Sequence, residues 1–464
     1  MSRLESVRCG VFSGAAAAAL AWLGPPGSDL AAHEYQRWLF LHHGFALWDN
    51  YWYSGRYVFV TYSWLTYPLA ALVGVKLLFV SAVAVAAAAF ARVVRYGPAA
   101  WAFAIVWGCF VLSGALPFAL GVAFALLALA FPRLFVPLAV LTWASSPLAL
   151  LLLAVVVVGL RRWRGLGILL PLLVLQTALA HLYPNAGHFP FSWQEAGAAA
   201  LFCVGGLLVA RDRDLRGVLA AWLVLVAFSF LFPSTLGENA ARLRFMALPI
   251  ALLALRGRPV QLAVPLLAVA AAYNVSPLAW SFDKGLDERA EHASYWAPAI
   301  AWLQAHAAPN FRVDALDTVG HWEAAYLPKA GIPITRGWFR QDDFPQNRVL
   351  YHPLTPVTYA RWLRAQGVRY VLAPNDRLDY SERYESRQLA RTLQRVGTFG
   401  DVEIFELPRP TPIVPGARVL RLTHDSITVR VPRRGRYHLA VRDDSGGWRG
   451  LDASRAGATT LRFP

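Results

Sequence analysis

The sequence predicts a polytopic α-helical membrane protein with about 11 transmembrane helices and an extracytoplasmic domain at its C-terminal end. Up to about Val275, long apolar runs alternate with short clusters of charge. From Asp283 onward, charged residues recur every few positions, as they do on a solvated surface. Hydrophobic residues make up 57% of the 464 and charged residues only 16%, whereas about a quarter of a soluble domain is charged.

Eleven apolar runs are candidate spans, because a helix needs roughly 20 apolar residues to cross a bilayer and somewhat fewer when its flanks snorkel. Several runs are shorter than this. The segment 134–160 is predicted as two spans, the alternative being one long helix with Ser145, Ser146 and Pro147 at its middle. The predicted spans are 9–25, 76–94, 98–113, 116–131, 134–146, 147–160, 167–183, 195–210, 216–232, 243–256 and 259–275.

The distribution of arginine favours this number of spans. With the N-terminus inside, arginines cluster in five consecutive cytoplasmic loops, as the positive-inside rule requires. A single span over 134–160 would invert every loop that follows it. We therefore predict a multi-pass protein of a bacterial cytoplasmic (inner) membrane with its C-terminal domain outside. Residues 1–282 contain 18 Lys+Arg against 8 Asp+Glu, so much of the net charge of +16 belongs to this pattern and does not indicate nucleic-acid binding.

The first apolar run resembles a signal peptide, because Arg3 and Arg8 precede it. Since many spans follow, it is predicted to remain as the first helix. All three cysteines lie in predicted spans, so no disulfide is expected. Abundant Ala, Gly and Pro with few lysines are typical of a high-GC genome, such as that of an actinobacterium.

Three domains are predicted. Residues 1–282 form the transmembrane domain, whose large outer loop, 24–75, ends in an interfacial helix over 58–75. Residues 283–407 alternate helix-like and strand-like segments, which indicates an extracytoplasmic α/β domain. Residues 408–464 combine short strands with glycine turns and are predicted to form a β-sandwich-like module. The helix-like segments are 297–305, 358–366 and 386–396, and the strand-like ones are 369–373, 402–406, 427–431 and 437–441.

The sequence contains no P-loop, dinucleotide fingerprint, metal-spaced Cys/His set or nucleophile elbow. The informative residues are polar side chains on outer loops. Asp29 directly follows the rigid segment Gly24–Gly27 that leaves the first span. On a helix that begins at Ser28 or Asp29, His33 would share a face with Asp29. Asp29 either only caps that helix or supplies a reactive carboxylate.

Arg242 and Arg244 lie at the outer mouth of the tenth predicted span, against the charge rule. The planar fork of arginine suits a phosphate, and a lipid phosphate would lie at this height. The alternatives are a contact with a lipid headgroup or an ion pair with Glu238. The same two interpretations apply to Arg56: it binds a phosphate, or it only contacts a lipid headgroup or forms an ion pair.

The aromatic run Trp48–Tyr53 is either an interfacial belt or a surface on which sugars stack. His181 and His188 are lone histidines, and no metal site is predicted from them. Asp342-Asp343 is expected to be a solvated turn rather than a cation site.

Together these residues resemble the GT-C superfamily of integral membrane glycosyltransferases. Many members carry paired acidic residues at the start of the first outer loop, whereas Leu30 follows Asp29 in this sequence. The segments that carry the resemblance are Gly27–His33, Trp48–Arg56, Gly237–Leu243, His321–Tyr326 and Arg336–Trp338.

The resemblance implies a GT-C-like fold and an inverting transfer of sugar from a polyprenyl-phosphate donor to a cell-envelope glycan or lipid acceptor. Asp29 would be the general base, and the phosphate leaving group would need cations but no general acid. The implied partners are the lipid-linked sugar, the glycan acceptor and membrane lipid. No cofactor is certain, although a divalent cation beside the phosphate would be compatible with this chemistry. The implied phosphate-binding residues are Arg56, Arg242 and Arg244, and the implied substrate-binding residues are His33, Glu34, Trp48, Asp49, Trp52, His188 and Glu238.

Two alternatives stay open. A non-catalytic GT-C-like protein would bind or scaffold cell-envelope polysaccharide through its soluble module, and Asp29 would then be dispensable. A transporter is disfavoured, because the span interiors hold almost no charge and no repeated halves appear.

Overall fold

The computed structural model describes residues 2–185, 187–258 and 260–464. Pro259, with which the last predicted span begins, lies outside the described residues. The chain forms two compact units. Unit 1 comprises Met1–Ser28, Tyr62–His181 and His188–Leu286, and unit 2 comprises Asp29–Thr61, Leu182–Gly187 and Asp287–Pro464. Most of the first outer loop therefore belongs to the same unit as the C-terminal part of the chain.

Helices dominate unit 1, and each of the eleven predicted spans contains helix. The helices of the described residues are α1 (Arg3–Leu23), α2 (Leu30–His43), α3 (Thr66–Val73), α4 (Val75–Val94), α5 (Gly97–Gly108), α6 (Leu116–Ala130), α7 (Phe135–Ser145), α8 (Pro147–Gly159), α9 (Trp163–Leu182), α10 (Trp193–Val209), α11 (Arg213–Leu231), α12 (Ala247–Ala254), α13 (Val260–Gly285), α14 (Ala293–His306), α15 (Glu323–Lys329), α16 (Pro356–Gln366) and α17 (Leu389–Thr392).

Five helices of the described residues are long and apolar enough to cross a membrane, namely α1, α4, α9, α11 and the part of α13 from Val264 to Gly285. Only 6% of the apolar window of α9 is buried inside the protein, although its mean hydropathy is 1.8. Such a surface is unfavourable in water and suits lipid. The chain is therefore a membrane protein. The other predicted spans contain shorter helices, so the number of crossings stays a prediction.

The segment 134–160 forms two helices and not one. Ser146 adopts an extended conformation between α7 and α8, with φ −159° and ψ 111°. The ring of Pro147 disfavours a helical conformation at the residue before it. The Ser146 hydroxyl then accepts a hydrogen bond of 3.3 Å from the backbone N–H of Ala149 and caps α8.

Small residues bring α1 and α4 together. A Cβ atom added at Gly10 or at Gly14 would lie 2.9 Å from the Cβ of Ala88 or of Ala84 on α4, respectively. Glycines spaced four residues apart let helix backbones approach closely, and this spacing is common in membrane helix pairs. The first helix of unit 1 is therefore packed closely against α4.

Unit 2 contains all of the strands found in the described residues. Its central sheet has the order β3-β4-β6-β5, in which β3 runs parallel to β4 and the other pairs are antiparallel. The strands are β1 (Trp48–Asp49), β2 (Arg56–Tyr57), β3 (Arg312–Ala315), β4 (Val368–Pro374), β5 (Gln394–Phe399), β6 (Val402–Glu406), β7 (Arg418–Leu422), β8 (Ser426–Val431), β9 (Gly435–Arg442), β10 (Trp448–Ala453) and β11 (Gly457–Arg462).

Helix α16 packs on the central sheet through a core that includes Tyr359, Leu363 and Val371. The expected helix over 386–396 is wrong at its end. Residues from Gln394 onward form β5, because β5 and β6 close a hairpin whose turn begins at Gly400 with φ 66°. The last part of the chain forms two small antiparallel sheets, β11-β8-β7 and β10-β9.

Candidate functional site

Asp29 precedes the first residue of α2 in unit 2. Its side chain makes no capping hydrogen bond to the helix, so the interpretation of Asp29 as a simple cap is wrong. The side chain is half-buried, as is that of Glu34, whereas His33 is completely buried. The carboxylate thus stands at the start of a helix whose interior face includes His33.

Arg242 and Arg244 lie in unit 1 on the 3₁₀-helical segment Gly237–Met246. Arg244 Nη1 lies 2.6 Å from Glu195 Oε2 and 3.9 Å from Glu238 Oε1. A carboxylate therefore already neutralises Arg244. The expected ion pair with Glu238 is the longer of the two, and Glu195 is the closer partner.

Arg242 has different surroundings. Its Nε donates a 2.8 Å hydrogen bond to Asn239 Oδ1, and its guanidinium lies 5.3 Å from the centre of the Phe118 ring. Among the residues that the structure describes, no carboxylate forms an ion pair with Arg242. An arginine held by an amide and an aromatic ring keeps its positive charge available for an anion.

His188 is half-buried in the same unit. The next residue, Phe189, donates a backbone hydrogen bond of 2.9 Å to the carbonyl oxygen of Ser234. This bond joins two of the predicted outer loops, 183–194 and 233–244. In unit 1 the structure therefore brings His188 and the segment with Glu238 and the two arginines into one region.

The aromatic run of the first outer loop forms part of the interior of unit 2. Trp52 is completely buried, and its Nε1 donates a 2.8 Å hydrogen bond to the carbonyl oxygen of Ala324. Trp48 stacks on Phe463 with ring centres 5.3 Å apart, and the Tyr53 hydroxyl donates to the carbonyl oxygen of Phe339. The predicted roles of Trp52 as a belt residue or a sugar platform are wrong, because neither ring face is accessible.

Asp49 is also completely buried and is not available to a substrate. The Tyr35 hydroxyl donates a 2.8 Å hydrogen bond to Asp49 Oδ2, and the Tyr51 backbone N–H donates a 3.0 Å hydrogen bond to Oδ1. Burial raises the pKa of Asp49 to about 6, against the effect of these donors and of Arg56. The predicted substrate-binding role of Asp49 is therefore replaced by a structural one.

Arg56 pairs with Asp342, whose Oδ2 lies 2.6 Å from Arg56 Nε. Both side chains are buried, and the guanidinium lies 4.1 Å from the centre of the Phe339 ring. The expectation of a solvated turn at Asp342-Asp343 is wrong, because Asp342 neutralises Arg56 and Asp343 pairs with Arg336. Burial raises the pKa of Asp342.

A polar pocket of unit 2 lies beside this pair. It combines two arginines and two aspartates with a tryptophan, a composition that suits a hydroxylated or charged ligand. The residues that line it are Trp48, Tyr53, Gly55, Arg56, Pro184, Asn185, Gly187, Asp342, Gln346, Arg442, Asp443 and Gly446.

A second polar region of unit 2 is fully buried and rich in carboxylates. Arg336 pairs with Asp317, Asp343 and Glu382 over distances of 2.9, 3.0 and 2.6 Å. Burial opposes ionisation of Asp343, but Arg336 together with donors from Asn347 and Tyr351 holds its pKa below the ordinary value. Next to this cluster, His321 Nδ1 faces Asp317 and Glu323. These three side chains together could hold a metal ion.

This region was not predicted as a site from the sequence. The spacing Asp-x-x-x-His-x-Glu over 317–323 is the local signal that could have indicated it. Two of the segments in the predicted resemblance, His321–Tyr326 and Arg336–Trp338, do meet here: Arg336 binds Asp317, and Asp317 faces His321.

No protein-family model matches the sequence, and no curated protein matches it. Solved structures of the arabinofuranosyltransferase AftD from Mycobacteria, determined by single-particle cryo-electron microscopy, are similar to this chain. A mutant in one class has 18% identity and a TM-score of 0.49, and covers 89% of this chain. The unsubstituted protein has 18% identity and a TM-score of 0.46, and covers 90% of this chain. The mutant in another class has 17% identity and a TM-score of 0.44, and also covers 90% of this chain.

This chain spans only 41–42% of the length of those neighbours. By their name, these neighbours are glycosyltransferases.

Proposed function

We propose that this chain is a membrane glycosyltransferase that acts at the outer face of a bacterial inner membrane. It transfers a sugar from a polyprenyl-phosphate donor to a cell-envelope glycan or lipid acceptor. The acceptor oxygen bonds to the anomeric carbon from the face opposite the phosphate, so the configuration inverts. The bond between that carbon and the phosphate oxygen breaks, and polyprenyl phosphate leaves with the electron pair.

Asp29 is the general base in this proposal, and its position is the observation that carries it. The residue lies six positions after the end of α1, a helix able to span the membrane. Its side chain is not used to cap α2. A carboxylate offers several lone pairs and can accept the proton that the acceptor hydroxyl loses.

Arg242 is the stronger candidate for binding the donor phosphate. Its guanidinium has no carboxylate partner among the described residues, whereas Glu195 neutralises Arg244 and Asp342 neutralises Arg56. A phosphate bound at Arg244 or Arg56 would have to displace or share an existing ion pair. Binding at Arg242 avoids that cost, so we assign Arg244 to the positioning of the segment.

The membrane topology is part of the proposal. Eleven spans with the N-terminus inside would place 283–407 and 408–464 outside the cell as an α/β domain and a β module. Lipid-linked sugars are used on that side, where the acceptor glycan is also found. The loop 24–75 would then lie at the same face.

The experiment is a transfer assay with the purified full chain, a polyprenyl-phosphate sugar and a cell-envelope glycan acceptor. Asp29→Asn should lower the rate by about 10²–10⁴-fold, because it removes the base but keeps the shape of the side chain. Asp452→Asn, which alters an aspartate whose side chain is 80% exposed, is the matched control and should retain the wild-type rate. An Asp29→Asn variant with wild-type activity contradicts the proposal.

A second candidate function is non-catalytic binding of cell-envelope polysaccharide. The polar pocket of unit 2 favours it, because Arg442 and Asp443 line this pocket together with Trp48 and Tyr53. The full chain would then bind polysaccharide equally well with Asp29→Asn, and binding would weaken in Asp443→Asn. Sugar transfer that depends on Asp29 would exclude this candidate as the whole function.

A further inference from the structure

Three side chains of unit 2 converge on one point in its interior. Asp317 follows β3, His321 lies in the loop, and Glu323 begins α15. His321 Nδ1 lies 3.6 Å from Asp317 Oδ2 and 3.7 Å from Glu323 Oε1, and the ligand atoms of all three residues lie within 4.8 Å of one another. The side chains are 3%, 8% and 1% exposed in the order of the sequence.

These separations are longer than hydrogen bonds but match those between two ligands of one ion. Bonds of about 2.1 Å at a tetrahedral angle place two ligand atoms about 3.4 Å apart. Distances of 3.6 and 3.7 Å therefore need only a small inward movement to close around a metal. A donor pair that simply shared a proton would lie closer, at about 2.7–3.0 Å.

The two oxygens of Glu323 have different surroundings. Oε2 accepts hydrogen bonds from the Thr318 backbone N–H at 3.1 Å and from the Thr318 hydroxyl at 2.9 Å. Oε1 is buried and has no hydrogen-bond partner among the described residues, although it faces the imidazole of His321. A buried carboxylate oxygen without a donor is costly, and a cation at this point would remove that cost.

The charge around the point is negative. Arg336 is shared by Asp317, Asp343 and Glu382, so one cation faces three carboxylates. On the other side, Glu288 Oε1 accepts a hydrogen bond from the Gly320 backbone N–H at 2.7 Å. Arg336 lies 2.9 Å from Asp317 Oδ2, but a carboxylate oxygen has two lone pairs and can bridge an arginine and a metal.

We propose that Asp317, His321 and Glu323 bind a divalent transition-metal ion, and that Thr318 positions Glu323 for this role. One imidazole and two carboxylates form a donor set that suits Zn²⁺ or Mn²⁺, whereas Ca²⁺ and Mg²⁺ take oxygen ligands. The ion fastens the loop after β3 to the start of α15. This inference is independent of the proposed transferase activity.

The test measures metal in the purified full chain. The protein is stripped with a chelator, incubated separately with Zn²⁺, Mn²⁺, Ca²⁺ or Mg²⁺, freed of excess ion, and analysed by elemental mass spectrometry. We expect about one Zn²⁺ or Mn²⁺ per chain, together with a rise in melting temperature on addition of that ion. Retention of no transition metal, or of Ca²⁺ and Mg²⁺ to the same extent, overturns the proposal.

Variants tie the ion to these residues. Glu323→Gln should lose the ion, and the matched control Glu403→Gln, at a glutamate whose side chain is 40% exposed, should keep it. Thr318→Val should weaken binding by about 10–100-fold, which keeps the test decisive if Glu323→Gln fails to fold. Wild-type metal content in Glu323→Gln or wild-type affinity in Thr318→Val contradicts the proposal. Asp29→Asn should bind the ion normally, so loss of transfer and loss of metal are distinguishable.

Discussion

Trp52 Nε1 donates a 2.8 Å hydrogen bond to the carbonyl oxygen of Ala324, a residue 272 positions further along the chain. The indole ring is completely buried and packs against Tyr35 and Phe339, with ring centres 4.7 and 5.8 Å away. The first outer loop is therefore a structural component of the unit that contains the C-terminal part of the chain.

Trp52→Ala should destabilise unit 2 by about 3–5 kcal/mol, because it leaves a large cavity and an unpaired carbonyl oxygen. The measurement is chemical unfolding of the detergent-solubilised full chain, followed by a probe in unit 2. Tyr380→Ala serves as control, since that aromatic residue of the same unit is 65% exposed and should cost far less. Equal losses in the two variants would mean that the loop is not part of the core.

Arg242→Gln should slow sugar transfer by about 10²-fold or more, because one of the positive charges that receive the leaving phosphate is removed. Arg244→Gln should have a smaller effect on transfer, since Glu195 already neutralises Arg244. The two glutamine variants are matched in chemistry and lie on the same segment. Transfer rates measured over a range of donor concentrations show which variant has the larger effect. A larger effect of Arg244→Gln would assign the phosphate to Arg244.

Asp49→Asn should change how stability depends on pH. The pKa of Asp49 is raised from 3.8 to about 6 by burial, so the folded state holds a proton there that the unfolded state has released. The shifted pKa of Asp49 therefore contributes to the free energy of unfolding. This stabilisation is fully present below pH 3.8 and is lost as the pH rises to about 6, by about 3 kcal/mol in all. Unfolding at several pH values should show a shallower decline for Asp49→Asn and an unchanged one for Asp452→Asn.

Labelling of single cysteines tests the proposed orientation. A membrane-impermeant maleimide applied to intact cells should label Asp452→Cys, in the module 408–464 predicted to lie outside, and should spare Arg162→Cys, in a predicted cytoplasmic loop. Disruption of the membrane should expose both positions. Labelling of Arg162→Cys in intact cells would reverse the predicted orientation, and the parent chain reports any background from its own cysteines.

Local patterns predicted much of the fold. The apolar runs correspond to helices, and Thr355 and Gly367 cap α16 as such residues commonly do. The course of the first outer loop could not be predicted, because Trp48 meets Phe463 only through long-range packing. The burial of Asp342 likewise depends on Arg56, almost 300 residues earlier.

The candidate site was predictable only in part. Asp29 and Arg242 could be selected because polar residues stand out beside apolar runs. The difference between Arg242 and Arg244 depends on Glu195, which is distant in sequence and gave no signal. His321 and Glu323 belong to His321–Tyr326, one of the segments that carry the resemblance to the GT-C superfamily. Their proximity to Asp317 depends on the path of the loop after β3.

Thr61 and Asp287 belong to the same compact unit, and this fact limits the path of the chain between them. In the proposed topology a body with open sheet edges would not lie in hydrocarbon, so both residues would be on one face of the bilayer. A polypeptide that departs from a face and returns to it has crossed an even number of times. Ten of the predicted spans lie in that interval, and merging α7 and α8 into a single crossing would make the number odd.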